Sequence, residues 1–145
     1  MELPIELKEK IEQELSNISI KDLQKSAKEI SKKYRDKPEN KVNNRLITSK
    51  IDSIAYSASR MPATYSAVYN VLQHVKEILI NNNEENLKSL LDVGAGTGSG
   101  SWAASSIFNL EEVTCIENEE YMKQVRKRFH AKCRIKNLKR SKVAN

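Results

Sequence analysis

Apolar residues in the first third of the chain recur at helical spacing. In the first helix they fall at every fourth position: Leu3, Leu7, Ile11 and Leu15. The apolar face of a second helix has similar spacing: Leu23, Ala27, Ile30 and Tyr34. Ser19 precedes this second helix, and serine caps helix N-termini by accepting an amide hydrogen bond. The pattern therefore predicts two amphipathic helices, each packed through one face.

Two more helices are predicted before residue 81, beyond a polar linker at residues 36–44. The first covers residues 47–60 and should end or kink at Met61, because Pro62 lacks the amide hydrogen that a helix interior needs. The second has apolar residues at spacings of three and four: Val68, Val71, Leu72, Val75, Ile78 and Leu79. We therefore predict a helical N-terminal region over residues 1–80.

From Leu87 onward the pattern changes from helical to strand-like. Short apolar strands are predicted at residues 90–93 and 113–116, and helices follow them at residues 98–108 and 119–131. A strand, helix, strand, helix order is how a parallel sheet with crossover helices begins. The predicted fold class is therefore α/β, with an N-terminal helical region followed by a partial parallel-sheet domain over residues 87–145.

All four glycines of the chain lie where the first strand passes into the helix after it, at positions 94, 96, 98 and 100. Glycine adopts positive φ without strain and leaves room for a ligand beside the backbone. In parallel α/β proteins such a loop lies at the carboxyl end of a strand and directs its amide hydrogens toward a bound ligand. The loop is therefore the candidate binding site.

The residues around the glycines discriminate between nucleotide ligands. A phosphate loop would continue with Lys and then Ser or Thr, which residues 98–101 do not supply, and a dinucleotide loop prefers GxGxxG to the GxGxG found here. Asp92, two positions before the first glycine, would repel a pyrophosphate but attract the cationic methionine part of S-adenosylmethionine. We therefore predict S-adenosylmethionine as the cofactor. A glycine-rich turn that binds nothing, or that binds NAD, is the alternative.

An acidic residue follows the second strand: Glu117, nineteen positions after Gly98. Acids at this distance from a nucleotide loop commonly accept hydrogen bonds from ribose hydroxyls. Asn118 beside it would either lie near the adenine or cap the next helix. The predicted cofactor-binding residues are Asp92, Gly94, Ala95, Gly96, Gly98, Glu117 and Asn118. No catalytic residue and no metal ligand is predicted.

Two stretches of the sequence resemble a known family. Residues 60–65 read RMPATY, and they are similar to the Arg-x-Pro-Ala-Thr-Tyr segment of the small-ribosomal-subunit methyltransferase-like proteins of bacteria and mitochondria. Residues 90–98 and 117–119 resemble the cofactor loop of the same family and the acid behind it. The resemblance implies a class I, Rossmann-like methyltransferase fold with S-adenosylmethionine as cofactor. It also implies rRNA or the small ribosomal subunit as partner.

The resemblance further predicts that the chain is the N-terminal part of a longer protein. Class I methyltransferase sheets are typically seven-stranded, whereas this sequence has two clear strands and at most the start of a third near residues 134–138. The cysteine cluster of the family has no counterpart, because Cys115 and Cys133 do not match it. An incomplete sheet leaves an open edge and an uncovered apolar face. We therefore expect marginal stability or self-association.

Two main functions fit these features. In the first, the chain is an S-adenosylmethionine-dependent methyltransferase that positions the methyl group in line with an RNA or protein nucleophile. Arg60, Thr64 and Tyr65 would then line the site or, as we prefer, cap and pack helices. In the second, the chain is a non-catalytic ribosome assembly or translation factor that keeps the methyltransferase shell and binds rRNA. A fragment of an NAD-dependent oxidoreductase is a third, weaker hypothesis.

Charge and composition point to partners and to a compartment. The net charge of +6 is concentrated in residues 121–145, which hold ten basic residues and no acidic one. Such a run attracts RNA phosphates by releasing counterions, although a solvated helix face and a frayed terminus fit it equally. Acidic residues within positions 1–10 argue against a transit peptide, and no stretch is long and apolar enough for a membrane span. We therefore predict a cytoplasmic protein with no membrane contact.

Overall fold

A computed structural model describes residues 2–36, 45–84, 86–130 and 141–144 of the chain. Its elements, in chain order, are α1 (Ile5–Leu15), α2 (Ile20–Arg35), α3 (Lys50–Asn81), β1 (Ser89–Val93), α4 (Ser99–Ile107), β2 (Glu112–Ile116), α5 (Glu120–His130) and β3 (Ser141–Ala144). The strands form one parallel sheet in the order β1-β2-β3. Helices followed by a parallel sheet confirm the α/β prediction. None of the described helices is long and apolar enough to cross a membrane.

The first two helices form as the apolar spacing predicts. Leu7 and Ile11 of α1 are buried in the largest core cluster, together with residues of α3, α4 and α5. Ser19 caps α2, because its Oγ accepts the amide hydrogen of Asp22 at 3.1 Å. Ile30, on the apolar face of α2, is 2% exposed and packs against α3 and α5. Residues 37–44, most of the predicted linker, lie outside the described residues.

α3 corrects the prediction that a helix ends at Met61, whereas the predicted kink there stays a prediction. The helix runs without interruption from Lys50 to Asn81, with Pro62 inside it. A proline removes one amide donor and disfavours the helix locally. Met61 and Tyr65, on either side of it, are 0% and 2% exposed. Burial of these two large side chains stabilises the helical path, and tertiary packing thus outweighs the local cost of the proline.

The sheet has the two strands that the sequence predicted, β1 and β2, and a third strand, β3, at its edge. The sequence placed at most the start of a third strand near residues 134–138, which lie outside the described residues. β3 pairs with β2 in parallel, with Val113 opposite Ser141 and Ile116 opposite Ala144. The sequence of β3, SKVA, has too few apolar residues to show the alternation that identifies a strand.

The two faces of the sheet differ in their cover. On one face, Val113 and Cys115 are 0% and 1% exposed and pack with Ala104 of α4. On the other face, Leu91 and Val93 are 61% and 70% exposed. No element of the described residues covers this second face. The expected self-association therefore stays a prediction, and it now has a defined surface.

Candidate functional site

The loop at the carboxyl end of β1 has a left-handed backbone at three glycines. The φ angles of Gly94, Gly96 and Gly98 are 73°, 53° and 95°. A Cβ added at Gly94 would meet no heavy atom within 4 Å, and one at Gly96 would meet only the Gly94 carbonyl oxygen, at 4.0 Å. The space beside the loop is therefore open, and no side chain crowds it. This is the clearance that a ligand lying against the backbone needs.

The amide hydrogens of this loop are bonded within the protein, which differs from the expectation that they point at a ligand. The amides of Gly94 and Ala95 both donate to the Ile116 carbonyl, at 2.8 and 3.1 Å. The amide of Gly98 donates to the Ala95 carbonyl at 2.8 Å. A loop that cradles phosphate needs free amide hydrogens. The arrangement therefore disfavours a pyrophosphate ligand and agrees with the choice of a cationic one.

Glu117 reaches the loop from the end of β2. Its Oε2 accepts the amide hydrogen of Gly96 at 2.7 Å, and its Oε1 accepts that of Glu119 at 2.8 Å. A carboxylate has about four lone-pair positions, so about half of its capacity remains for donors from a ligand. The structure thus brings together Gly96 and Glu117, two predicted site residues that lie 21 positions apart in the sequence.

Asp92 lies beneath the first turn of α4. Its Oδ2 accepts hydrogen bonds from the Ser101 hydroxyl at 2.6 Å and from the Ser101 amide at 3.1 Å. Gly98, the N-cap of α4, has no side chain to accept an amide hydrogen, so Asp92 takes over this capping role. A Cβ at Gly100 would stand 3.3 Å from the Asp92 carboxylate, which explains the fourth glycine. Within the described residues, Oδ1 of Asp92 has no hydrogen-bond donor.

The remaining two predicted site residues occupy different environments. Ala95 is 8% exposed, and its methyl group packs with Ala104 and Val113, so only its backbone borders the loop. Asn118 is exposed beside Glu117. Because α5 begins at Glu120, Asn118 lies two positions before the helix and is not its cap residue. Its predicted position near an adenine stays a prediction.

The segment at residues 60–65 supports the glycine loop from α3. The Thr97 hydroxyl, inside the loop, donates to the Met61 sulfur at 3.6 Å, and both residues are buried. The Tyr65 hydroxyl donates to a serine hydroxyl of α4 at 3.1 Å. Burial raises the pKa of Tyr65, so the phenol keeps its proton and acts as a donor. The preferred packing role of Tyr65 is thus confirmed, whereas Thr64 is exposed and bonds to its own helix backbone at 3.1 Å.

Ser101 also contributes to the site, although it was not among the predicted site residues. Its hydroxyl bonds to Asp92 and also lies 3.3 Å from the Cys115 sulfur. The signal was present, because a small polar residue three positions after a glycine N-cap is placed to meet a carboxylate on the preceding strand. Burial raises the pKa of the Cys115 thiol, which makes it a weak nucleophile at neutral pH. Within the described ranges, no group of three or more His, Cys, Asp or Glu residues could hold a metal ion.

Parallel strands, crossover helices and an open glycine loop facing a carboxylate define an α/β protein with a candidate ligand-binding loop after its first strand. Comparison with known proteins identifies the family. Residues 50–145 match the family described as mitochondrial small ribosomal subunit Rsm22. The chain belongs to this family. The resemblance to small-ribosomal-subunit proteins, which rested on residues 60–65 and the glycine loop, is thereby confirmed.

A human relative matches part of the chain. The ribosome assembly protein METTL17, mitochondrial, from Homo sapiens is 35% identical over 72 residues. The match covers 48% of this chain and 15% of the human protein. The chain thus corresponds to a small part of this relative's length.

These comparisons contradict the cytoplasmic prediction. The matched family and the human relative are both described as mitochondrial. The prediction relied on the acidic residues among positions 1–10, and these residues do not encode a compartment. Targeting signals are addresses read by receptors, independent of the composition of the folded part.

Proposed function

We propose that this chain binds S-adenosylmethionine at the glycine loop and works in mitochondria as a methyltransferase-type protein of the small ribosomal subunit. One observation carries the proposal. Glu117 lies 2.7 Å from the Gly96 amide, at the edge of an open space over a loop with three left-handed glycines. An acid at the end of β2 that faces the loop after β1 is what a nucleoside ligand requires in a parallel α/β fold.

Each residue of the site has a chemical task in this proposal. Glu117 would accept hydrogen bonds from the two ribose hydroxyls, while its bonds to Gly96 and Glu119 keep it oriented. Asp92 would offer its unoccupied Oδ1 to the ammonium group of the methionine part. Gly94 would let the ligand lie against the backbone. When bound, S-adenosylmethionine supplies an electrophilic methyl group on its sulfonium.

The partner in this proposal is the small ribosomal subunit, with rRNA as the candidate substrate. The family description names the mitochondrial small ribosomal subunit, and the human relative is named as a ribosome assembly protein. Because the match covers 15% of the human protein, the activity of the whole relative is carried over to this chain as part of the proposal.

A second candidate is a non-catalytic assembly factor that keeps the ligand site and binds rRNA. The name of the human relative favours it, because it describes assembly rather than methyl transfer. The site chemistry agrees, since Asp92 and Glu117 already accept two hydrogen bonds each and neither is a ready general base. An NAD-dependent oxidoreductase is disfavoured because the loop amides of Gly94 and Ala95 are not free for a pyrophosphate.

Isothermal titration calorimetry tests ligand binding. S-adenosylmethionine, its demethylated product and NAD are titrated into the 145-residue chain, and we expect the first two to bind and NAD not to bind. Gly96→Val should abolish binding, because a β-branched residue is strained at φ 53° and its side chain would enter the open space. Ala67→Val, on an exposed position of α3, is the control. Equal heats for NAD, or binding that survives Gly96→Val, would contradict the proposal.

Transfer of an isotope-labelled methyl group then separates the two candidates. The chain is incubated with labelled S-adenosylmethionine and with small ribosomal subunits whose methylation sites are unmodified. Label in the RNA or protein of the subunit supports the enzyme. Binding of the methyl donor without transfer, by a chain that still associates with subunits, supports the assembly factor.

A further inference from the structure

The exposed side of α2 carries a row of positive charges. Its members share one face at spacings of four and three residues: Lys21, Lys25, Lys28, Lys32 and Arg35, here called the lysine stripe. All five are exposed. At about 100° and 1.5 Å per residue, they fall within roughly 80° of arc and span about 21 Å along the helix. No acidic residue of α2 lies within that arc.

The charges of the lysine stripe are not neutralised within the described part of the protein. The ion pairs of that part use Lys50, Lys88, Lys123, Arg128 and a histidine, and none involves α2. The helix α1 differs, because its two lysines alternate with four glutamates. The stripe is thus a local feature of α2 rather than a general property of the helical region.

Helix stability does not explain the stripe. Like charges three and four residues apart repel one another, and Lys21 stands in the first turn, where the helix dipole disfavours a cation. Burial holds α2 in place from the opposite face, where Ser26 and Ile30 are 5% and 2% exposed. A linear array of unpaired cations on a helix that is fixed by its other face is suited to a linear polyanion.

We propose that the lysine stripe binds the phosphate backbone of RNA. A span of about 21 Å covers several successive phosphates of a nucleic-acid strand, which in DNA are spaced by about 3.4 Å along the helix axis. The stripe contains no aromatic residue for base stacking, so the contact reads backbone charge rather than sequence. The choice of RNA as the polyanion rests on the proposed function at the small ribosomal subunit. A membrane surface is disfavoured, because the apolar face of α2 is buried against α3 and α5.

The test compares two pairs of substitutions that remove the same charge. Lys25→Gln with Lys28→Gln neutralises the centre of the stripe, and Lys8→Gln with Lys127→Gln removes two exposed lysines of other elements. Binding of a fluorescent single-stranded RNA of twenty nucleotides is measured by anisotropy between 0.05 and 0.3 M salt. Each phosphate contact contributes about 0.7 to the slope of log affinity against log salt, so two contacts contribute about 1.4.

We expect the double substitution in the lysine stripe to lower the slope of log affinity against log salt by about 1.4. If the two chains bind equally at 1 M salt, this change weakens binding about 25-fold at 0.1 M salt. The control pair should remain within about twofold of the unaltered chain, and thermal unfolding should confirm that both pairs fold. Absence of RNA binding by the unaltered chain, or equal losses in the two pairs, would overturn the proposal. Equally effective competition by polyglutamate would overturn it in favour of an acidic protein. Calorimetry with S-adenosylmethionine is independent of each of these results.

Discussion

The start of α3 and the carboxyl end of the sheet each place a carboxylate among hydrogen-bond donors. The two carboxylates differ in how much hydrogen-bonding capacity remains for a ligand. Asp52, at the start of α3, is 7% exposed. It accepts the Ser26 hydroxyl at 2.5 Å, the Thr48 hydroxyl at 2.8 Å and the Thr48 amide at 3.0 Å. Glu117, after β2, accepts two backbone amides and borders an open space.

This difference separates a structural carboxylate from one that can serve a ligand. Burial raises the pKa of Asp52, but hydrogen bonds from Ser26, Thr48 and Ser49 together lower it by more, so that the pKa lies below the ordinary value of 3.8. The donors to Asp52 come from α2 and from the turn before α3, and they fix these elements to each other. The donors to Glu117 fix only its own orientation. Substitutions at the two positions should therefore have different effects.

The largest effect is expected at Asp52. Asp52→Asn should destabilise the fold by about 2 kcal/mol, because an amide nitrogen cannot accept the buried donors that the carboxylate satisfies. Asp22→Asn, at the exposed start of α2, is the matched control and should cost much less. Urea unfolding followed by circular dichroism measures both. If Asp52→Asn destabilised the fold no more than Asp22→Asn, Asp52 would not have the structural role assigned to it.

Glu117→Gln should act on the ligand rather than on the fold. We expect S-adenosylmethionine affinity to fall about tenfold, which corresponds to about 1.4 kcal/mol, because charged acceptors form stronger hydrogen bonds than neutral ones. Glu120→Gln, at an exposed position of α5, is the control for loss of one negative charge. Calorimetry measures affinity, and urea unfolding measures stability. If Glu117→Gln unfolded the chain as Asp52→Asn does, the two carboxylates would have the same role.

Ser101→Ala tests whether the hydrogen bond between Ser101 and Asp92 stabilises the fold. The substitution removes the 2.6 Å hydrogen bond to Asp92, at an expected cost of about 1 kcal/mol in the free energy of unfolding. Affinity for S-adenosylmethionine should stay within about twofold. Ser89→Ala, exposed in β1, provides the reference. A large loss of affinity with unchanged stability would show that the Ser101 hydrogen bond serves the ligand rather than the fold.

The smallest effect is the pH dependence that Asp52 confers. Its folded pKa lies below the ordinary value of 3.8, so its stabilising contribution is complete above that value and is lost as pH falls through the folded pKa. The free energy of unfolding should therefore fall in acid more steeply for the unaltered chain than for Asp52→Asn. Unfolding curves between pH 6 and about pH 3 measure the two slopes. Parallel slopes would show that Asp52 does not contribute.

Local patterns in the sequence predicted a large part of this architecture. The four-residue spacing of apolar side chains located α1 and α2, and the cap at Ser19 was correct. The four glycines and Glu117 defined the loop and the acid that meets it, because the order of strand, loop and helix places them at one edge of a parallel sheet. These features depend on residues close in sequence or on a fixed topology.

Features set by tertiary contacts were not accessible from the sequence. The continuity of α3 through Pro62 depends on the burial of Met61 and Tyr65 against other elements. The direction of the loop amides depends on the Ile116 carbonyl, which β2 brings beside the loop only in the folded protein. β3 contains a lysine and a serine among four residues and is recognisable only by its pairing with β2.

The central claim is that the glycine loop receives S-adenosylmethionine, and glycine-selective NMR tests it most directly. The four glycines of the chain all lie at positions 94–100, in this loop and the first turn of α4, so isotope-labelled glycine gives amide signals from the loop and the helix turn beside it alone. Addition of S-adenosylmethionine should move the signals of Gly94 and Gly96 in a saturable way, while NAD at the same concentration leaves them in place. Glycine signals that do not respond to S-adenosylmethionine, or that respond equally to NAD, would contradict the account.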